Sequence, residues 1–172
     1  SAFSQTTADL PELEGVDTPV VEKSEATPYG GWVTTVTRAQ IEDLNAMDLT
    51  SALRRTPGVT ISRYNRVGSF GGGNGGGVFI RGLGSSRPGG EILTLIDGIP
   101  VFNPVWTHPL LDLDPVDAAG AIDVFKGPHP AVFGNAFSAV NIVPVQPVGD
   151  GLQTRLRLAY GSDSTWVQAL DH

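Results

Sequence analysis

The chain contains no cysteine, which excludes disulfides and thiolate metal sites. Nor does it contain an apolar run approaching the roughly 20 residues that a membrane-spanning helix requires. Ser1-Ala2-Phe3-Ser4 lacks the charged and apolar regions of a secretion signal, so any such signal is expected to have been removed already. Basic residues are scarce at the front. Residues 1–50 carry nine acids against Lys23 and Arg38 alone, whereas acids and bases cancel over residues 51–172. The net charge of −7 therefore belongs to a leading arm, and without a basic footprint the chain is not expected to bind nucleic acid.

Catalytic patterns are missing too. Gly71-Gly72-Gly73-Asn74-Gly75-Gly76 matches Gly-x-Gly-x-x-Gly, but a strand follows it, not the helix whose amides would meet a pyrophosphate. Neither lysine completes a Gly-x-x-x-x-Gly-Lys phosphate loop, and no serine sits in Gly-x-Ser-x-Gly. His108, His129 and His172 lack metal-ligand spacing and read as loop or surface residues. Asp112, Asp114 and Asp117 alternate, yet the glycine and terminal glutamate of a calcium loop are absent, so capping and solvation explain them better. No enzyme, catalytic residue, resident metal or cofactor is expected.

What is present is a chain rich in turn formers, with 22 Gly and 13 Pro, and 40% hydrophobic residues to build a core. Residues 1–31 show no sustained periodicity and read as a flexible arm. Order is expected from Trp32–Val36, a short strand. Thr37-Arg38-Ala39-Gln40 has the Thr-x-x-Gln form of a capping box and opens a short helix bearing Ile41 and Leu44 on one side. Asp48 caps a second, with Leu49, Ala52 and Leu53 on its buried stripe and Pro57-Gly58 beyond it. Strands are expected at Val59–Ser62, Gly77–Arg81, Ile92–Asp97, Ala121–Phe125 and Ala139–Val145, with a helix from Asp114-Pro115 to about Gly120. The result is a small mixed α+β domain over residues 32–147. Residues 148–172 alternate in polarity about a turn at Gly161-Ser162-Asp163-Ser164 and read as a β-hairpin, its first strand near the roughly 9–11 residues of an outer-membrane barrel strand.

Spaced phrases run through the α+β region. They are Leu53-Arg54-Arg55-Thr56-Pro57-Gly58-Val59, Val78-Phe79-Ile80-Arg81-Gly82 and Leu95-Ile96-Asp97-Gly98-Ile99-Pro100-Val101, followed by Asp123-Val124-Phe125-Lys126-Gly127-Pro128 and Phe133-Gly134-Asn135-Ala136 through Asn141-Ile142-Val143. Their order and spacing, over about Val33 to Val145, resemble the plug domain of TonB-dependent outer-membrane receptors. One departure is Ser138-Ala139, where that family shows a Gly-Gly pair. The resemblance implies a plug seated inside a large barrel in the outer membrane, gating import of a scarce nutrient such as a ferric siderophore or other metal chelate. The chain would then be a piece of such a receptor, a split receptor or a plug-only protein. A freestanding periplasmic interaction module on the same fold is the alternative.

The resemblance also implies site residues. Asp17-Thr18-Pro19-Val20-Val21 looks like the segment that the periplasmic domain of TonB grips by adding a strand, although Pro19 removes one backbone donor. Arg81 and Lys126 occupy positions whose basic residues pair with carboxylates of the receptor's own barrel wall. Substrate would meet three apical loops, offering Arg63, Tyr64, Asn65 and Arg66, then Ser86 and Arg87, then Phe102, Asn103, Trp106 and His108. Arginines beside aromatic rings suit an anionic or planar ligand.

Overall fold

Local chemistry starts each helix as the sequence predicts. Thr37 ends a strand in extended geometry and caps α1 (Arg38–Asp43): its backbone N–H donates to Gln40 Oε1 at 2.8 Å while its hydroxyl accepts from Gln40 N at 3.4 Å. Asp48 does the same for α2 (Leu49–Leu53), accepting from Ser51 N at 2.7 Å while Ser51 Oγ accepts from Asp48 N at 3.1 Å. Both helices are too short to persist alone, so packing must hold them. Ile41, Leu49, Ala52 and Leu53 supply it, each at most 2% exposed.

The computed structural model describes residues 24–63, 76–84, 92–101, 116–146, 149, 151–152, 154–162 and 164–171. The strands are β1 (Ser24–Ala26), β2 (Trp32–Thr37), β3 (Val59–Arg63), β4 (Gly76–Ile80), β5 (Ile92–Ile96), β6 (Ile99–Pro100), β7 (Ala119–Lys126), β8 (Ser138–Pro144), β9 (Arg155–Gly161) and β10 (Thr165–Asp171). Six of them form one sheet in the order β1-β2-β7-β8-β5-β6, antiparallel throughout except for the parallel pair β5–β8. Alternation on β7 places Ile122 and Val124 on the core face, where Val36, Val140 and Ile142 join them. The β3–β4 hairpin adds Val78 and Ile80 to the same cluster, together with partly buried Val59 and Ile61. The fold is thus the mixed α+β arrangement that the sequence predicts.

Several elements differ from expectation. A strand, β1, lies inside the expected arm, because Ser24–Ala26 pairs with β2 in the register Ser24↔Thr34 to Ala26↔Trp32. The expected helix to Gly120 is only a 3-10 turn at Val116–Ala118, because β7 already claims Ala119 for the sheet. A four-residue helix, α3 (Pro130–Phe133), goes unforeseen, as does β6. β6 returns through Asp97 (φ 51°) and Gly98 (φ 77°), the pair of positive φ values that a two-residue type I′ hairpin demands.

Candidate functional site

Two turns bring the basic residues of the phrases together. Ile80 N donates to Leu83 O at 2.8 Å and Leu83 N to Ile80 O at 3.1 Å, closing a tight turn over Arg81 (φ 52°) and Gly82 (φ 80°). Gly82 adopts this conformation freely, but for an arginine the left-handed region costs about 1–2 kcal/mol. The turn is tied down by Arg81 N donating to Gly58 O at 2.8 Å. Lys126 arrives from the other side, at the end of β7. A Cβ built on Gly58 would stand 3.8 Å from Arg81 Cγ and 4.0 Å from Lys126 Cδ, so both side chains run past this glycine. Gly127 similarly lies beneath Arg81 Nη1, at 3.6 Å from where its Cβ would be.

The corner is electropositive and asymmetric. Arg81 is exposed and, among the described residues, forms no ion pair. Lys126 is only 4% exposed and donates from Nζ to Ser24 Oγ at 3.0 Å. Carboxylates are the natural partners of basic side chains such as these.

A second cluster lies at the opposite end of β7 and joins the hairpin β9–β10 to the helical side. Arg38 Nη1 donates to the carbonyls of Asp117 (2.7 Å) and Ala119 (3.0 Å), and its Nε donates to Glu42 Oε1 at 2.7 Å. Glu42 also accepts from Arg155 Nη1 at 3.0 Å. The Arg38 hydrogen bond, with the arginine charges around it, holds the Glu42 carboxyl below its ordinary value of 4.5. Arg157 reaches the Asp117 carboxylate through Nη1, and through Nη2 it reaches Asn45 Oδ1 at 2.9 Å. The arginine side of the hairpin therefore faces the domain. Its other side carries Leu156, Leu158, Tyr160, Trp166 and Leu170, each 64–68% exposed, with the Tyr160 and Trp166 rings 4.9 Å apart across the strands.

Residues 27–140 match the family of the TonB-dependent receptor plug domain. The chain belongs to that family. The vitamin B12 transporter BtuB of Vibrio vulnificus (strain YJ016) is 29% identical over 132 residues, covering 76% of this chain and 20% of that protein. The pyoverdine outer-membrane receptor FpvA from Pseudomonas aeruginosa PAO1, solved bound to pyoverdine, shares the fold with a TM-score of 0.63 at 21% identity, over 84% of this chain and 19% of that one. The siderophore receptor PiuA from Acinetobacter baumannii superposes with a TM-score of 0.57 at 25% identity, over 88% of this chain and 18% of that one. The plug chain thus spans about a fifth of the length of these relatives, which are named as transporters and receptors and not as enzymes.

Within this plug, the side chains of Arg81 and Lys126, the residues expected to dock on the barrel, both pass Gly58. Other expected site residues lie outside the described residues: Asp17, Thr18, Pro19, Val20 and Val21 in the arm, and Tyr64, Asn65, Arg66, Ser86, Arg87, Phe102, Asn103, Trp106 and His108 in the apical loops. Of Arg63 only the backbone, which ends β3, is described. His129 is a correction. It lies in the loop between β7 and α3, as expected, but not at the surface: it is 1% exposed, with Nδ1 2.8 Å from Gly127 O and Nε2 3.1 Å from Thr27 Oγ1. Two polar partners and the edges of Phe125 and Phe133 make that burial tolerable. Asp117 likewise serves as more than a solvated turn residue. Its partner Arg157 was legible only as one member of an alternating strand, because the contact joins positions 40 apart.

Proposed function

We propose that this chain is the plug, with the first barrel hairpin, of an outer-membrane receptor that imports a scarce nutrient using energy transmitted by TonB. The observation that carries the reading is the inverted hairpin. A hairpin at home in water turns its apolar face onto the domain and its charges outward. This one pairs Arg155 and Arg157 with Glu42 and Asp117, and leaves leucines, Tyr160 and Trp166 facing out. That is the polarity of a strand pair with lipid outside and a polar lumen inside. β9 and β10 have seven residues each, shorter than the roughly 9–11 of a complete barrel strand. A freestanding periplasmic module would expose that apolar face to water, which disfavours the alternative.

In this reading Arg81 and Lys126 dock onto carboxylates of the wall, residues 1–31 face the periplasm, and Asp17–Val21 is the segment that TonB grips. The cargo is an anionic or planar metal chelate, met by Arg63, Arg66 and Arg87 and by the aromatic and polar loop residues Tyr64, Asn65, Ser86, Phe102, Asn103, Trp106 and His108. The relatives' named ligands, vitamin B12 and pyoverdine, fit that class. The deciding experiment titrates the periplasmic domain of TonB against this chain and against a variant with residues 17–21 replaced by Gly and Ser. Loss of binding in the variant is expected, and equal affinity would refute the coupling segment. For cargo, a panel of ferric chelates and cobalamin is titrated against the whole receptor and an Arg63/Arg66/Arg87 triple alanine variant; unchanged affinity for every compound would refute the loop assignment.

A further inference from the structure

The outward face of the β9–β10 hairpin changes character along its length. At the open end Leu156 lies opposite Leu170, next Leu158 lies opposite Gln168, and beside the turn Tyr160 lies opposite Trp166. The Tyr160 and Trp166 rings stand 4.9 Å apart at an interplanar angle of 56°. Beyond them Gly161, Ser162 and Ser164 are exposed and offer no apolar side chain. Leucines therefore fill the open end, and an aromatic pair closes the face just before a polar turn. Tyr and Trp join an apolar body to a polar tip, so they collect where hydrocarbon meets water. On the reverse face the domain holds the arginines, Arg155 through Glu42 and Arg157 through Asp117 and Asn45.

We propose that the Tyr160–Trp166 pair marks one membrane–water boundary, and that it thereby sets the height at which the domain is clasped inside the barrel. The inference rests on the reading of this hairpin as barrel wall with lipid outside. A barrel strand rises about 3.4 Å per residue and tilts by about 35–45°, so each residue advances about 2.6 Å across the bilayer. Counted from Tyr160, Arg157 then lies about 8 Å and Arg155 about 13 Å inside the boundary. The apolar band of such a barrel is about 25 Å tall, which puts Arg155 and its partner Glu42 near the midplane. Arg157 and Asp117 fall between midplane and boundary. Helix α1, which carries Glu42, is thus held at about mid-bilayer height. Charges at that depth are tolerable because they face the lumen and each other. Gln168 interrupts the leucines on the lipid side, but it lies only about 5 Å below the boundary, and its long side chain can reach back to the headgroups.

Depth is read by fluorescence quenching in the whole receptor, reconstituted in phosphatidylcholine vesicles whose acyl chains carry bromine either near the headgroup or near the chain end. The signal of Trp166 is the difference between the receptor and Trp166→Phe. Leu158→Trp and Leu156→Trp, each made in the Trp166→Phe background, report the two deeper positions. Trp166 should be quenched at least about twofold more by the shallow bromine, and position 156 at least about twofold more by the deep one, with position 158 between them. The two deeper variants are independent, so either one beside Trp166 gives the gradient. Quenching of Trp166 as deep as that of position 156, or deeper, overturns the boundary and the clasp height while leaving the face in lipid. Absence of quenching by either bromine at every position takes the hairpin out of lipid, and the barrel-wall reading falls with it.

Discussion

Cutting the Asp117–Arg157 pair should detach the hairpin without unfolding the domain. The side chains are 21% and 24% exposed, so solvent screens the pair only in part. Arg157 also loses Asn45 when it is truncated. Hydrogen bonds to charged groups contribute about 1.5–3 kcal/mol, and partial exposure reduces that, so a coupling of about 1–2 kcal/mol is expected for this pair. Glu42–Arg155 has side chains 51% and 52% exposed and should fall within the roughly 0.2–1 kcal/mol of surface pairs. The assay is a double-mutant cycle with Asp117→Ala and Arg157→Ala, read by exchange of the β9–β10 amides, with the Glu42/Arg155 cycle beside it. Hairpin exchange should quicken about tenfold in Arg157→Ala, while the exchange of Ile122 and Val140 stays put, because the loss is local. Raising salt from 0.1 to 1 M, which shortens the screening length from about 10 to 3 Å, should erode the Glu42 pair first. A coupling below about 0.3 kcal/mol for Asp117–Arg157, or a larger one for Glu42–Arg155, would refute the reasoning from burial.

Three further outcomes are expected. Gly84→Ala places a Cβ 2.4 Å from the Val78 carbonyl oxygen at a φ of 134°, and should cost at least about 2 kcal/mol in urea unfolding. Arg81→Asn relieves the left-handed strain and should raise stability by about 0.5–1 kcal/mol in urea unfolding; a loss of stability would show that Arg81 is held by contacts other than those described. Glu42 is lowered in the folded chain, chiefly by Arg38, so its contribution is complete above its ordinary 4.5 and is lost as pH falls through the lowered value. Hairpin protection, exchange divided into the intrinsic rate at each pH, should therefore fall on acidification below about pH 4.5, and Glu42→Gln should flatten that dependence.

The capping boxes at Thr37 and Asp48 were legible because each is complete within four residues, and periodicity placed most strands within a residue or two. Asp97-Gly98 carried enough local signal to reveal β6, since Asp-Gly between apolar residues is a strong hairpin mark. β1 was not legible in the same way. Three residues have no period, and they are held by backbone pairing with β2 and by contacts of Ser24 with Thr34 and with Lys126, the latter about a hundred positions away. Arg81 and Lys126 were nameable from the phrases, but their approach past Gly58 depends on how the β3–β4 hairpin meets the end of β7. Nor does alternation say which face of β9 turns inward. Leucines would ordinarily be assigned to the core side, and the ion pairs of Arg155 and Arg157 reverse that.

The two charged clusters share one strand. β7 runs from Ala119, whose carbonyl Arg38 holds, to Lys126 in the corner, and it is flanked on both sides by β2 and β8. At about 3.4 Å per residue, the seven steps between them separate the clusters by about 24 Å of well-packed strand. Ser24 of β1 reaches only the Lys126 end. Removing its hydroxyl should leave the hairpin clasp undisturbed, because no side chain is common to Ser24–Lys126 and Asp117–Arg157. Sites so far apart without shared partners add within about 0.3–0.5 kcal/mol, so Ser24→Ala combined with Arg157→Ala should equal the sum of the single changes. A larger interaction would mean that β7 transmits displacement along its length and that the two ends are gated as one.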